Sequence, residues 1–233
     1  MLPQIQYPII RVTIPSTKEE RKFRPFLVKE EKILLIAKES KKDRDVFQAV
    51  VQIVNNCSLD SLDVESLTLF DLEWVFLKLR VASVSDVVDV SYTDMNDSRR
   101  YDFEVDLEKV TVKWPEKIEY VIPITDEAGL KMRYPRAAIY GDDELFGSDE
   151  FFFELILKCI ESVYDGETVY SAKDYSHEEL TAFVEQLDVK TYERVLQFLN
   201  DVPTLFYEIE YKNSFGEDKK IELRTLNDFF TFR

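Results

Sequence analysis

The chain has 233 residues, of which 45% are hydrophobic and 33% are charged, so it can bury a core and intrinsic disorder is excluded. Lys and Arg number 30 against 46 Asp and Glu, which gives a net charge of −16 and disfavours binding to nucleic acid or to an anionic membrane. The composition therefore predicts a folded protein whose partners are basic molecules or other proteins.

The first part of the chain is predicted to form a β-hairpin followed by helices. Apolar and polar residues alternate over 10–14 and again over 22–24 after a turn at Pro15, which is typical of a hairpin. Glu30 and Glu31 favour a helix start nearby, because acidic side chains interact well with a helix N-terminus. The helical spacing of apolar residues predicts three helices, over 28–39, 43–56 and 68–79.

The middle of the chain is predicted to be rich in β-strands. Residues 88–92 and 101–107 alternate strictly between apolar and polar side chains on either side of a polar turn. Such alternation is typical of a hairpin with one buried face and one wet face, and here the wet face is acidic. Shorter strands are predicted over 110–114, 118–124 and 130–134.

The last part of the chain returns to helical spacing. Apolar residues after Asp149 predict a helix that ends at Asp165 and Gly166. Ser176 and Glu179 have the spacing of a capping box, in which each side chain satisfies a backbone amide of the other, so a helix is predicted to start there. A further helix and a terminal hairpin are predicted over 192–199, 207–211 and 221–223.

These elements predict an α+β fold. It has an N-terminal β-hairpin followed by helices, an antiparallel β-rich middle, and C-terminal helices with a terminal hairpin, without the crossover helices of a parallel sheet. With 5 Gly and 8 Pro in the chain, no stretch is rich enough in these residues to be a flexible linker. We therefore expect directly packed regions at 1–83, 84–136 and 137–233, or one compact unit.

One short motif resembles a catalytic site. Tyr140, Gly141, Asp142 and Asp143 spell the metal-binding turn of template-dependent RNA polymerases, where paired carboxylates hold Mg²⁺. The chain is too short for such a polymerase and carries no basic template channel. A metal-dependent phosphoryl-transfer enzyme that uses Asp142 and Asp143 is kept as an alternative to the simpler interpretation, a solvated acidic loop.

Other catalytic patterns are missing from the sequence. His177 is the only histidine, so a Cys/His zinc site or a Ser-His-Asp triad is disfavoured. No glycine-rich phosphate-binding motif occurs. We therefore predict a protein that is not an enzyme, with no catalytic residue, no cofactor and no metal.

The two cysteines and the chain start bear on location. Cys57 and Cys159 lie in apolar segments, so both are predicted to be buried thiols of a protein in a reducing compartment. No apolar run is long enough to span a bilayer, and residues 1–10 lack the pattern of an export signal. We therefore expect a cytoplasmic protein without a membrane partner.

Aromatic residues are frequent, with 17 Phe and 12 Tyr. Three consecutive Phe at 151–153 cover most of a helix circumference, and a second aromatic cluster ends the chain. Such clusters pack either against a second layer of the same chain or against a partner. The candidate contact residues from these clusters are Phe151, Phe153, Phe229 and Phe230.

The run FRPFLVKEEKILL, within residues 22–40, resembles the N-terminal signature of the baseplate hub proteins of T-even-like contractile-tailed phages. The likeness covers roughly residues 8–107. It implies a non-enzymatic late phage protein that is a subunit of the baseplate hub or helps other proteins to assemble it. An assembly chaperone that is absent from the mature virion remains the alternative.

The resemblance also implies partners and a place of action. The partners would be other baseplate hub proteins, met in the cytoplasm of the infected host during assembly and, for a structural subunit, retained in the virion tail baseplate. The oligomeric state is left open. Arg24, Pro25 and Phe26 are candidate contact residues, because a strand end beside an acidic helix start presents both an apolar face and charge, although a structural corner explains them equally.

A third class of function is an acidic mimic that occupies a basic, nucleic-acid-binding host protein. Such a mimic concentrates its negative charge on one face. Acidic residues here are scattered over nearly every predicted element, which favours solubility over mimicry.

Overall fold

The computed structural model describes residues 6–40, 42–141 and 150–230. The chain folds as two compact units, Met1–Lys113 with Thr204–Arg233, and Trp114–Pro203. The regions expected from the sequence, 1–83, 84–136 and 137–233, stay a prediction. Within the described residues, no helix is both long enough and apolar enough to cross a membrane.

The described helices, apart from short 3₁₀ turns, are α1 (Val28–Ser40), α2 (Asp43–Cys57), α3 (Leu69–Ser83), α4 (Phe151–Cys159), α5 (His177–Val184), α6 (Val189–Asn200) and α7 (Leu226–Phe229). The described strands are β1 (Ile10–Thr13), β2 (Glu20–Phe23), β3 (Val87–Thr93), β4 (Arg100–Asp106), β5 (Thr111–Lys113), β6 (Val121–Pro123), β7 (Ala128–Met132), β8 (Ile160–Asp165), β9 (Thr168–Ser171), β10 (Thr204–Lys212) and β11 (Asp218–Leu223).

The α+β class is confirmed, because helices and small antiparallel sheets are both present. The first unit contains the hairpins β1–β2 and β3–β4 and the three-stranded sheet β11-β10-β5. The second unit contains one four-stranded sheet in the order β6-β7-β8-β9. Every described strand pairing is antiparallel.

The helix predicted from Asp149 to Asp165 is wrong in its second half. Helix α4 ends at Cys159, and strand β8 runs from Ile160 to Asp165 between β7 and β9. Val163 lies opposite Leu130 of β7, so pairing with β7 supplies the backbone hydrogen bonds that a longer helix would have supplied. A short run rich in β-branched residues fits both helical and strand periods, and here the sheet decides between them.

Helix α3 lies at the centre of the first unit. It packs against α2, β1 and β10, so it is buried on more than one side. Its buried apolar residues cover more than half of the helix circumference. These residues are Phe70, Leu72, Val75, Phe76, Leu77 and Leu79.

A polar contact fixes the N-terminal hairpin on α3. Asp71, in the first turn of α3, is buried and accepts hydrogen bonds from the Ser16 backbone N (2.9 Å) and Oγ (2.5 Å). The same carboxylate accepts a bond from the Thr68 hydroxyl, and Thr68 is the N-cap of the helix. The turn of the hairpin is therefore held by the residues that start the central helix.

The turns of β3–β4 and β10–β11 are joined in a similar way. Asp97 accepts hydrogen bonds from the Tyr101 hydroxyl (2.6 Å) and from the backbone N (3.0 Å) and Oγ (2.8 Å) of Ser214. Asp94 is buried and accepts a bond from the Tyr211 hydroxyl (2.8 Å). The Tyr211 ring lies 4.9 Å from the Tyr101 ring, so aromatic packing accompanies the polar contacts.

Candidate protein-contact site

The segment Arg24–Pro25–Phe26 forms a corner between β2 and α1. The two terminal nitrogens of Arg24, Nη1 and Nη2, donate to the two carboxylate oxygens of Glu30 at 3.1 and 2.9 Å. Nη2 also donates to the Asn56 carbonyl (2.8 Å), at the end of α2. The Leu27 backbone N donates to Glu30 Oε2 (3.0 Å), so the ion pair links the end of β2, the start of α1 and the end of α2.

The Glu30 side chain is fully buried, and the Arg24 side chain is only 14% exposed. Burial alone would raise the pKa of Glu30, but the hydrogen bonds from Arg24 and Leu27 outweigh it and hold that pKa below its ordinary value. The hydrogen bond to Glu30 likewise raises the pKa of Arg24. The sequence pattern identifies Glu30 only as a residue that favours the start of a helix. It does not predict that Glu30 is buried and paired with Arg24.

Pro25 and Phe26 also make intramolecular contacts. The Pro25 carbonyl accepts a hydrogen bond from Arg24 Nη1 (3.0 Å). Phe26 is half-buried, with its ring 5.6 Å from that of Phe76 and its backbone N donating to Ser83 Oγ (2.9 Å). The three residues therefore build a structural corner, and a partner contact at this corner stays a prediction.

The aromatic cluster at the start of α4 exposes its middle residue. Phe151 is half-buried, with its ring 6.0 Å from Tyr140 and 5.8 Å from Phe152, and Phe153 is half-buried too. Phe152 is 65% exposed, although it is not among the contact residues predicted from the sequence. The side chain most open to a partner in this cluster is therefore Phe152.

The C-terminal aromatic residues pack on the first unit. Phe229 is 1% exposed, and Phe230 is half-buried with its ring edge-on to Phe76 at 6.0 Å. The guanidinium of Arg80 lies 5.4 Å from the Phe230 ring. These two predicted contact residues thus have intramolecular packing partners, and a contact with another protein stays a prediction for them.

A carboxyl group lies where α7 meets α3. Glu73 accepts a hydrogen bond from the Leu226 backbone N (3.2 Å). Withdrawal of the carboxyl from water raises the pKa of Glu73 to about 8, against the effect of the Leu226 hydrogen bond, and the neighbouring Asp228 adds to the rise. We therefore expect the docking of the C-terminal segment to depend on the protonation of Glu73.

The residues considered for catalysis do not form a site among those described. Asp142 and Asp143 lie outside the described residues. Two acidic residues earlier in the chain, Asp89 and Asp94, have different settings: Asp89 is exposed on β3, whereas Asp94 is buried and accepts a hydrogen bond from Tyr211. Within the described part of the chain, no three potential metal ligands come together.

The histidine and the cysteines have structural settings. The capping box of Ser176 and Glu179 is confirmed at the start of α5. His177 Nε2 lies 2.5 Å from Glu154 Oε1, which joins α5 to α4. Both cysteines are buried, as predicted, and burial raises the pKa of Cys57 to about 11 and of Cys159 to about 12, so both thiols are protonated at neutral pH.

The second unit contains an apolar groove of about 610 Å³. It lies between α5, β7, β8, β9 and the turn that follows β6, and every described residue that lines it belongs to this unit. Apolar side chains and three tyrosines, Tyr164, Tyr170 and Tyr175, provide most of the lining. Its charged lining residues are Asp165 and Glu179, and no lysine or arginine is among the described residues that line it.

This groove can accept apolar side chains and favours positive charge at its rim. Tyrosine combines a large apolar ring with a polar hydroxyl and is enriched at protein interfaces. Sequence reasoning missed the groove, because strand β9 was not predicted and β8 was assigned to a helix. The only sequence signal was the aromatic content of residues 164–183.

The chain matches a known protein family over nearly its whole length. The family described as T4 bacteriophage base plate protein matches residues 7–231, which is nearly the whole chain. No curated protein and no solved structure matches the chain.

The buried ion pair gives a first prediction. We expect Glu30→Gln to lower the free energy of unfolding by about 3 kcal/mol at neutral pH, because it leaves the Arg24 charge without its buried partner. The pKa of Glu30 lies below its ordinary value in the folded state, so its stabilisation is present above about pH 4.5 and is lost as the pH falls. Chemical denaturation should therefore show that the unfolding free energies of the unmodified protein and the Glu30→Gln variant converge in acid. The neighbouring Glu31→Gln is the control, and an equal loss in both variants would contradict the assignment.

The Glu73 carboxyl gives a second prediction, in which its contribution to stability falls as the pH rises. Its folded pKa of about 8 lies above the ordinary value of 4.5, so its contribution to stability is greatest in acid and is lost as the pH rises to about 8. We expect Glu73→Gln, which keeps an acceptor for Leu226, to stabilise the protein increasingly over this range. Unfolding free energies across the range measure the effect, with the exposed Glu65→Gln as control. A pH-independent difference would count against the proposed coupling.

Proposed function

The chain belongs to the T4 bacteriophage base plate protein family, and from this premise we propose that it acts in the central hub of the tail baseplate through contacts with other hub proteins. The match over residues 7–231 carries the proposal. The run FRPFLVKEEKILL supports the hub rather than another part of the baseplate, because it resembles the hub proteins of T-even-like phages.

The proposed role is structural or assembly-related rather than enzymatic. A subunit of the hub would stay in the virion tail baseplate, whereas an assembly factor would act in the host cytoplasm and then leave. The acidic chain supports both roles, since a net charge of −16 keeps a free subunit soluble and attracts basic partners before docking.

The groove of the second unit is the proposed contact with a hub partner. Its apolar lining fits a segment with large aliphatic or aromatic side chains, and Asp165 and Glu179 fit lysine or arginine beside them. Phe152, which is 65% exposed on the same unit, is a further residue available for contact. The proposed partner is therefore a hub protein with a basic, amphipathic segment.

Co-expression tests the function. We expect affinity capture of this protein, co-expressed with the hub proteins of the same phage, to recover at least one of them, identified by mass spectrometry. Purified virions probed in parallel separate the two roles, since a structural subunit is present in them and an assembly factor is absent. Recovery of no hub protein would overturn the proposal.

A pair of adjacent substitutions tests the groove. Tyr170 lines the groove, whereas Val169, its neighbour on β9, is 67% exposed and lies outside the lining. We expect Tyr170→Lys to lower recovery of the hub partner about tenfold, because it removes an aromatic contact and repels a basic segment. Val169→Lys adds the same charge to the same strand and should leave recovery unchanged. An unaffected Tyr170→Lys variant, with its fold verified by circular dichroism, would exclude the groove as the contact.

A further inference from the structure

Helix α1 presents an apolar stripe to solvent on the side away from α2. Leu34 and Ala37 are buried on the side that packs against α2. Val28, Leu35 and Ile36 are 74%, 53% and 69% exposed. With 3.6 residues per turn, these three exposed residues lie along one side of the helix. Large apolar side chains grouped in this way mark an interaction surface.

Two opposite charges lie on the same stripe. Lys32 is one turn before the Leu35–Ile36 pair and Glu39 is one turn after it, and both are exposed. Helix α1 carries three lysines and three glutamates, so it is locally neutral in a chain with a net charge of −16. The stripe is therefore cationic on one side of its apolar centre and anionic on the other.

This pattern is complementary to itself. When two copies of α1 lie antiparallel, with a two-fold axis between Leu35 and Ile36, the residues 32 and 39 are equally far from that axis, at about 5 Å along the helix. Lys32 of each copy then lies opposite Glu39 of the other, and Leu35 packs against Ile36 of the other copy. A two-fold axis always produces such a contact twice.

We propose that a second copy of this chain covers the stripe through antiparallel pairing of α1. A basic hub partner would be attracted by the acidic surface elsewhere, but the α1 stripe has no net charge to attract it. One pair of helices buries a small area, so the dimer is weak, with a Kd on the order of tens of micromolar. At about 0.15 M salt the Debye length is about 8 Å, which screens most of the repulsion between two acidic copies.

Charge exchange on the full chain tests this pairing. Sedimentation velocity over a series of concentrations should show a mass that rises from 27.5 kDa toward twice that value. Lys32→Glu and Glu39→Lys should each weaken the dimer about tenfold, because each places like charges opposite each other. The double variant restores opposite charges and should return the Kd to within about threefold of the original.

A matched control separates this surface from general effects of charge. Val189, at the start of α6, is 72% exposed, and Val189→Glu should leave the dimer unchanged. Circular dichroism confirms that each variant is folded. A monomer at every concentration, or a double variant as weak as the single variants, would overturn the proposal. It would also fail if Lys32→Glu abolished capture of a hub protein while the isolated chain stayed monomeric, since the stripe would then belong to that partner.

Discussion

The buried ion pair of Arg24 and Glu30 constrains the N-terminal part of this structure. Both carboxylate oxygens of Glu30 accept bonds from Arg24, which also reaches the Asn56 carbonyl at the end of α2. Two charges withdrawn from water are tolerated only when the pairing geometry is good, so each partner dictates the position of the other. This pair helps to set the direction of α1. It therefore also helps to set which side of α1 faces solvent.

Helix α3 brings the two ends of the first unit together. Its apolar residues fill the core, and two of its polar residues, Asp71 and Glu73, accept hydrogen bonds from Ser16 in the hairpin turn and from Leu226 at the start of α7. Strand β5 pairs with β10 although 90 residues separate them, those of Trp114–Pro203. The first unit can therefore be completed only after the residues of the second unit have been synthesised. Its contacts between β5 and β10 join residues that are far apart in the sequence.

The surface of a baseplate protein must serve assembly as well as solubility. Acidic residues spread over most elements keep the free chain soluble, while a few apolar regions stay open to contact. The groove beside Tyr170 has an acidic rim, and the α1 stripe around Leu35 is neutral. The two proposed contact surfaces therefore differ in the charge of the partner that each one favours.

The sequence by itself determined many of the local elements and the α+β class, because caps, turns and hairpin alternation act over a few neighbouring residues. The capping box at Ser176 and the hairpin at Ile10 are examples. The run FRPFLVKEEKILL pointed to the family. The tertiary structure decided which side chains are buried and which are exposed. It made Glu30 an internal ion partner, turned Ile160 to Asp165 into a strand and exposed Phe152 in the aromatic cluster. The burial of a side chain depends on residues that are far away in the chain, so a local sequence pattern cannot predict it.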